Sequence, residues 1–328
     1  MFESAIQTFT SPVVLFFVLG LLAAFVRSDL AIPEAIAKAM SLYLMAAIGI
    51  KGGVAVSKSG IDATVLSALG AGIVAGFLLP FFAYAVLKSF GKLDRINSGA
   101  VAAHYGSISV VTFVTAVEIL TGQAREPGGY MVAVMAAMEA PAILSGLLLA
   151  RGLGSKDDGQ SMGEMFHEVF TNSSIVLLLG AFFIGMIGGE AGFGEVQPFF
   201  EAGFKGVLCI FLLDMGLIAA RRMMDARAIT WRLTAIAIFL PLVNGIVGTS
   251  MGIAIGLDAG SAAALGVLCA SASYIAVPAA MRLALPEADP GIYLTMSLSI
   301  TFPFNVLINI GIISAYSAYL SNPMGGAL

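Results

Sequence analysis

Charged residues and cysteines are scarce in this chain of 328 residues. Charged side chains make up 11% of it, hydrophobic ones 59%, and the mean hydropathy is +0.97. Soluble domains carry about 25% charged residues, so this composition excludes a soluble protein and indicates one that lies in a lipid bilayer. Both cysteines, Cys209 and Cys269, stand inside apolar runs, which argues against a disulfide framework.

Motifs for bound metals and nucleotides are also missing from the sequence. It contains no zinc-type spacing of cysteine and histidine, no P-loop and no dinucleotide fingerprint. We therefore expect no organic cofactor, no resident metal and no nucleic-acid partner. An enzyme is not indicated either, because His104 has no evident catalytic partner in the sequence.

The apolar runs divide the chain into ten predicted membrane spans. Their approximate limits are 11–27, 33–50, 61–88, 98–118, 130–150, 173–189, 198–219, 229–256, 260–282 and 291–314. The first ten residues lack the basic region of a signal peptide, so we expect the first span to be retained. We predict an all-α membrane protein with a five-helix repeat at 1–150, a cytoplasmic linker at 151–172 and a second repeat at 173–328.

Three short sequence patterns occur twice in the chain at nearly constant separation. The pairs are Glu34–Lys38 with Glu201–Lys205, Ser107–Ser109 with Ser271–Ser273, and Glu139–Pro141 with Thr301–Pro303, at separations of 167, 164 and 162 (201 − 34, 271 − 107 and 301 − 139). Because each copy holds five predicted spans, an odd number, the two copies must insert in opposite orientations. Inverted repeats with interrupted helices are typical of secondary transporters.

The basic residues predict the orientation in the membrane. If both termini share one side, the opposite loops carry ten of them: Arg27, Lys88, Lys92, Arg95, Arg151, Lys156, Arg221, Arg222, Arg227 and Arg282. The side of the termini carries three, Lys51, Lys58 and Arg125. Since basic loops stay in the cytoplasm, we expect the linker inside and both termini outside a bacterial inner membrane.

The fourth and ninth predicted spans are interrupted by small polar residues. The interruptions fall at 104–109 and at 270–274, and we predict a discontinuous helix at each. Unwound backbone at membrane depth is tolerated where it is buried in protein or lines a watery cavity. In inverted copies the second half-helices would start near the midplane and bring two positive helix ends together, an arrangement that suits a small anion.

Two groups of residues at or near these interruptions are candidate ligands. We assign the anion to Gly106, Ser107, Ser109, Ser271, Ala272 and Ser273, and sodium to Tyr105, Glu139, Thr301 and Asn305. Small residues and serines also serve simply to pack membrane helices closely, and that alternative stays open for each serine. A carboxylate within a span needs a positive partner or a proton, so Glu139 is either a cation ligand or a neutral group bonded to a neighbouring helix.

The segment CASASYIAVPAAMRLALPEADP (269–290), together with HYGSIS (104–109) and Glu139-Ala-Pro141, resembles the sodium-dependent bicarbonate transporter family first known from cyanobacteria. The resemblance covers the length of the chain. It implies a trimeric sodium/bicarbonate symporter with a core of spans three to five and eight to ten and a gate of spans one, two, six and seven. It also places bicarbonate at the serines of both interruptions, and it places the family's intramembrane carboxylate on Glu139.

The chain departs from the cyanobacterial pattern at several points. Tyr274 stands where the cyanobacterial form has an aspartate, and Gly106-Ser107-Ile108-Ser109 has a different hydroxyl pattern. The linker is shorter, which weakens the case for a docked regulatory protein of the PII kind. Three readings therefore compete: a bicarbonate symporter, a symporter of another small anion such as a short monocarboxylate, and a non-transporting anion sensor. The small linker argues against the sensor.

Overall fold

The structure is a computed structural model that describes residues 10–60, 62–151, 173–225 and 229–322. Within these ranges the chain is entirely helical, without a strand. Residues 152–172 of the predicted linker lie outside the described residues. The helices are α1 (Pro12–Phe25), α2 (Glu34–Ser59), α3 (Ala63–Val86), α4a (Arg95–Gly106), α4b (Val110–Gly122), α5 (Met131–Arg151), α6 (Ser173–Gln197), α7 (Phe204–Asp225), α8 (Trp231–Ala254), α9a (Ala259–Ala270), α9b (Ala276–Ala284) and α10 (290–321), the last with π-helical turns at Thr295–Thr301 and Asn305–Asn309.

Seven helical segments of the described chain are long and apolar enough to cross a membrane. They are α2, α3 with its π-helical extension, α4a with α4b, α5, most of α6, α8 and α10. Helix α1 has only 14 residues, or about 21 Å, which is shorter than a hydrocarbon core of about 30 Å. The chain is thus a multi-pass membrane protein, and the count of ten spans stays a prediction.

Helix α2 continues well past its predicted end at residue 50, to Ser59. The predicted span stops just before Lys51, a charged residue that is costly in lipid. A helix needs apolar side chains only where it meets hydrocarbon, and both Lys51 and Lys58 line a wide cavity here. Helix α6 is likewise longer than predicted and is kinked at Gly189, whose φ of 57° is left-handed.

The helices pack in three groups. Helix α1 packs along α7, and α2 along α6; α3, α4a and α5 form a second group, and α8, α9a and α10 a third. The first group depends on close backbone contact. A Cβ added to Gly20 of α1 would lie 2.1 Å from the Leu213 carbonyl oxygen, and one added to Gly185 of α6 would lie 2.2 Å from that of Ile50. Only glycine permits this spacing.

We expect Gly185→Ala to destabilise the protein by about 1–3 kcal/mol, because the new methyl group has no space against the backbone of α2. Gly180→Ala on the same helix is the matched control, since its Cβ would meet nothing within 4 Å. Alanine is a better helix former than glycine, so the control should be neutral or slightly stabilising. Thermal unfolding of both variants in detergent measures the difference. Equal melting temperatures would contradict the packing argument.

Aspartates fix the starts of α4a and α9a, both 12 residues long. The Asp94 carboxylate accepts a hydrogen bond from the Asn97 backbone N–H at 2.9 Å, and Asp258 does the same for Ser261 at 3.0 Å. Such caps satisfy backbone donors that the first turn of a helix leaves without partners. Each short helix therefore starts at a defined residue.

Candidate functional site

Helix α4 is interrupted at Ser107–Ser109. Helix α4a ends at Gly106, and Ser107 is extended, with φ −88° and ψ 175°. Ser109 is the N-cap of α4b, and its hydroxyl accepts a hydrogen bond from the Thr112 N–H at 3.2 Å. Gly106 lies so close to α3 that an added Cβ would be 2.2 Å from Cγ of Pro80. A glycine and two serines thus end one helix and begin the next.

Helix α9 is interrupted in the same way at 271–275. Helix α9a ends at Ala270, Ser271 is extended with φ −78° and ψ 163°, and α9b begins at Ala276. The Ser273 hydroxyl accepts a hydrogen bond from the Val277 N–H at 3.3 Å. Both interruptions therefore lie within or beside the segments that the sequence indicates.

A backbone hydrogen bond joins the two interruptions. The Ser273 N–H donates to the His104 carbonyl oxygen at 2.9 Å, and both residues are buried. The bond satisfies an N–H and a carbonyl that the broken helices leave free. The two discontinuous helices consequently meet at this point.

A cavity of about 30 Å³ lies beside the meeting point, with space for about two water molecules. Its wall comes from both interruptions and from three other helices. The lining residues are Ser41, Met45, Ile108, Ser109, Val110, Val111, Ala136, Glu139, Leu178, Ser273, Tyr274, Ile275 and Ala276. We call this space the central cavity.

Charges of opposite sign face the central cavity. The first residues of α4b and α9b line it, among them Val110 and Ala276, so the positive ends of two helices are directed to one place. Glu139 on α5 lines the same space and is only 4% exposed. The electrostatics of the cavity therefore favour a small anion at the helix ends and a cation near the carboxylate.

The predicted anion ligands separate into two sets. Ser109 and Ser273 line the central cavity, whereas Gly106, Ser107, Ser271 and Ala272 do not. Ser271 uses its hydroxyl to donate to the Leu268 carbonyl oxygen at 2.7 Å. The buried Ser107 hydroxyl has no hydrogen-bond partner among the described residues.

The predicted sodium ligands also separate. Tyr105 and Thr301 are joined by a hydrogen bond of 2.7 Å, and Thr301 donates onward to the Ala237 carbonyl oxygen at 2.6 Å, so the tyrosine hydroxyl is the donor to Thr301. Asn305 donates to the Ala270 carbonyl oxygen at 2.9 Å. Glu139 is alone among the four in lining the central cavity.

Sequence reasoning missed several polar residues around the site. Asn244 on α8 and Asn309 on α10 are buried and join the network of Tyr105 and Asn305. Ser41 of α2 lines the central cavity. Each asparagine stands inside an apolar run, and polar side chains inside spans are a recognised signal of function. For Ser41 only the tertiary structure provides the signal.

A second, wider cavity of about 700 Å³ adjoins the same helices. On α2, Met45 lines the central cavity, and Ile48 and Lys51 line the wide one. On α4b, Val111 lines the central cavity and Phe113 lines the wide one. We call this wide cavity the vestibule. Glu118 of α4b lines the vestibule and forms an ion pair of 2.7 Å with Lys205 of α7.

Comparison with known proteins decides the family. The profile of the Na⁺-dependent bicarbonate transporter superfamily matches residues 12–318, nearly the whole chain. The chain belongs to this superfamily. No curated protein matches the sequence. A superfamily of transporters is not enzymatic, and its name gives sodium and bicarbonate as the transported substrates.

Within this superfamily member, Tyr274 takes a defined position. It lines the central cavity, and its ring packs edge-on against that of Phe302, with the ring centroids 5.4 Å apart. Its hydroxyl lies near Ser109 without forming a hydrogen bond of good geometry. The resemblance places an aspartate at this position in the cyanobacterial form. This chain thus has a bulky neutral group in the cavity wall where a charge would stand.

Proposed function

We propose that the protein is a sodium-coupled symporter that carries bicarbonate into the cell by alternating access. The observation that supports this most is the central cavity, which is faced by two helix N-termini and by the Glu139 carboxylate. Positive helix ends favour an anion and a carboxylate favours a cation. Binding both ions in one space gives a physical basis for coupling.

The membrane potential also favours coupling. An anion that enters a cell with a negative interior is opposed by about 2.3 kcal/mol per charge per 100 mV. One sodium ion carried with it cancels this electrical cost, and the sodium gradient then drives uptake. A pore would let bicarbonate leak outward.

We further propose ten spans in two inverted repeats, with α1, α2, α6 and α7 as gate and the other helices as core. The packing groups support this division, because α2 with α6 and α7 with α1 are equivalent pairs under such a repeat. The N-caps Asp94 and Asp258 are 164 residues apart (258 − 94), the same separation as the paired serines. Homotrimer formation and a bacterial inner-membrane location follow from the family resemblance and stay proposals.

Uptake by purified protein in liposomes tests the proposed function. With an inward sodium gradient, labelled bicarbonate should accumulate, and replacing sodium by choline should abolish the accumulation. Accumulation that is equal with and without the gradient would contradict sodium coupling.

A second candidate substrate is favoured by Tyr274, whose ring replaces a charge in the cavity wall. A short monocarboxylate such as acetate or formate has an apolar end that could contact this ring. The same liposomes should be given labelled monocarboxylates, with unlabelled bicarbonate as competitor. Sodium-driven monocarboxylate uptake that bicarbonate does not inhibit would favour the second candidate.

The orientation can be tested by cysteine labelling in intact cells. We expect Glu126→Cys, at the vestibule, to react with a membrane-impermeant maleimide from outside. Lys92→Cys, at the other end of the helix bundle, should react only after the membrane is permeabilised. The reverse pattern would place the vestibule and both termini in the cytoplasm.

A further inference from the structure

Three buried asparagines form a polar network behind the two interruptions, and each donates from its amide nitrogen to a backbone carbonyl oxygen. The Asn309 amide nitrogen donates to Oδ1 of Asn305 at 2.8 Å and to the Pro241 carbonyl oxygen at 3.1 Å. The Asn305 amide nitrogen donates to the Ala270 carbonyl oxygen, and that of Asn244 to the Tyr105 carbonyl oxygen at 3.4 Å. Because Asn244 lies one helical turn beyond Pro241 on the same face of α8, the three asparagines occupy one region.

The network has more acceptors than donors. A carbonyl oxygen can only accept, so the nitrogen of each asparagine faces its carbonyl partner, and this fixes the position of the amide oxygen. Oδ1 of Asn244 and Oδ1 of Asn309 then have no hydrogen-bond partner in the described part of the chain. Asn244 is 1% exposed and Asn309 is fully buried. Buried polar atoms without partners are rare.

The helix ends add to the negative potential of this region. Tyr105 is in the last turn of α4a, and Ala270 is the last residue of α9a. Each helix C-terminus carries about half a negative charge. Two such ends and two amide oxygens without partners favour a cation. In other transporters with discontinuous helices, the C-terminal ends of half-helices and their free carbonyls coordinate sodium.

We propose that a dehydrated sodium ion binds between Oδ1 of Asn244 and Oδ1 of Asn309, at the C-terminal ends of α4a and α9a. The proposal rests on the proposed function and adds a second cation position to the one beside Glu139. The side chains of the network are neutral amides and hydroxyls. Neutral oxygens suit a monovalent ion, whereas calcium is held mainly by carboxylates.

Thermal unfolding of the purified full-length protein tests the proposal without transport. Sodium chloride should raise the melting temperature in a saturable way relative to equal concentrations of choline chloride and potassium chloride, because a bound ion stabilises the folded state. The rise should be clearly smaller in Asn244→Leu and in Asn309→Leu than in the wild type. It should persist in Asn97→Leu, a control whose amide nitrogen and oxygen bond to Asp94 and to the Asp289 N–H far from the network.

Uptake in liposomes gives the second measurement. The sodium concentration for half-maximal uptake should rise at least about fivefold in Asn244→Leu and Asn309→Leu. If both leucine variants fail to fold, the nearly isosteric Asn244→Asp replaces them. Its added carboxylate should lower the half-saturating sodium concentration at least about fivefold, and an unchanged value would overturn the proposal.

The two proposals fail in different ways. If wild-type uptake does not depend on sodium, the proposed symport is wrong. If uptake depends on sodium but the asparagine variants keep both the wild-type half-saturating concentration and the thermal response, the sodium position is wrong and the symport stands. A wild-type melting temperature insensitive to sodium would show that no sodium ion is bound between the two oxygens.

Discussion

In Glu139→Gln, the sodium concentration needed for half-maximal uptake should rise on the order of tenfold or more, whereas the half-saturating bicarbonate concentration should change less. Glutamine keeps the size of the side chain and removes its charge. Glu139 is buried in the wall of the central cavity without an ion-pair partner in the described chain, so a cation in the cavity would gain the full interaction. A loss of about 1.4 kcal/mol corresponds to a tenfold change.

The measurement is initial uptake by liposomes at varied sodium and at varied bicarbonate. Glu190→Gln serves as the control, because this glutamate is exposed and pairs with Lys58 at the vestibule. Exposed ion pairs contribute little, so the control should keep the wild-type sodium dependence. If Glu139→Gln also keeps it, the carboxylate is structural, and the cation binds among neutral oxygens alone.

Ser109→Ala and Ser273→Ala should weaken anion binding about five- to a hundredfold, with little change in sodium dependence. Each serine lines the central cavity at the start of a half-helix and has a hydroxyl hydrogen to donate while its oxygen accepts from the backbone. Loss of one donor from a buried site costs about 1–3 kcal/mol. This cost corresponds to the expected five- to hundredfold loss of affinity.

The concentration dependence of uptake again provides the test, supported by thermal unfolding to measure any loss of the helix cap. Ser297→Ala is the matched control, since this serine is buried in α10 and donates to the Tyr293 carbonyl oxygen of its own helix. An affinity loss as large in Ser297→Ala as in the cavity variants would mean that the effect comes from general packing.

The interruptions could be predicted from sequence because their signal is local. Glycine and serine interrupt apolar runs at Gly106–Ser109 and at Ser271–Ser273, and these residue types end and cap helices wherever they stand. The superfamily could be predicted as well, since the residues that carry the resemblance form short continuous segments of the sequence. The predicted end of α2 was wrong by several residues, because Lys51 and Lys58 line a vestibule whose other walls come from helices distant in sequence.

The grouping of the ligands could not be predicted. Glu139, Thr301 and Tyr105 are all polar residues in apolar surroundings, and the sequence gives no indication that the first lines the cavity while the other two bond to each other. That separation depends on which face of α5 and of α10 meets the interrupted helices. The surplus oxygens of Asn244 and Asn309 depend on the same contacts, because an amide is recognised as unsatisfied only when its neighbours are known.

The hydrogen bond between Ser273 and His104 has a mechanical consequence. A movement that separated the two interruptions would leave a buried N–H and a buried carbonyl without partners, at a cost of several kcal/mol within a membrane. The hydrogen bond therefore resists shear between α4 and α9 at their meeting point. We expect displacements that change access to the cavity to occur along other surfaces, such as that between α4b and α7, where the ion pair of Glu118 and Lys205 can separate and be hydrated.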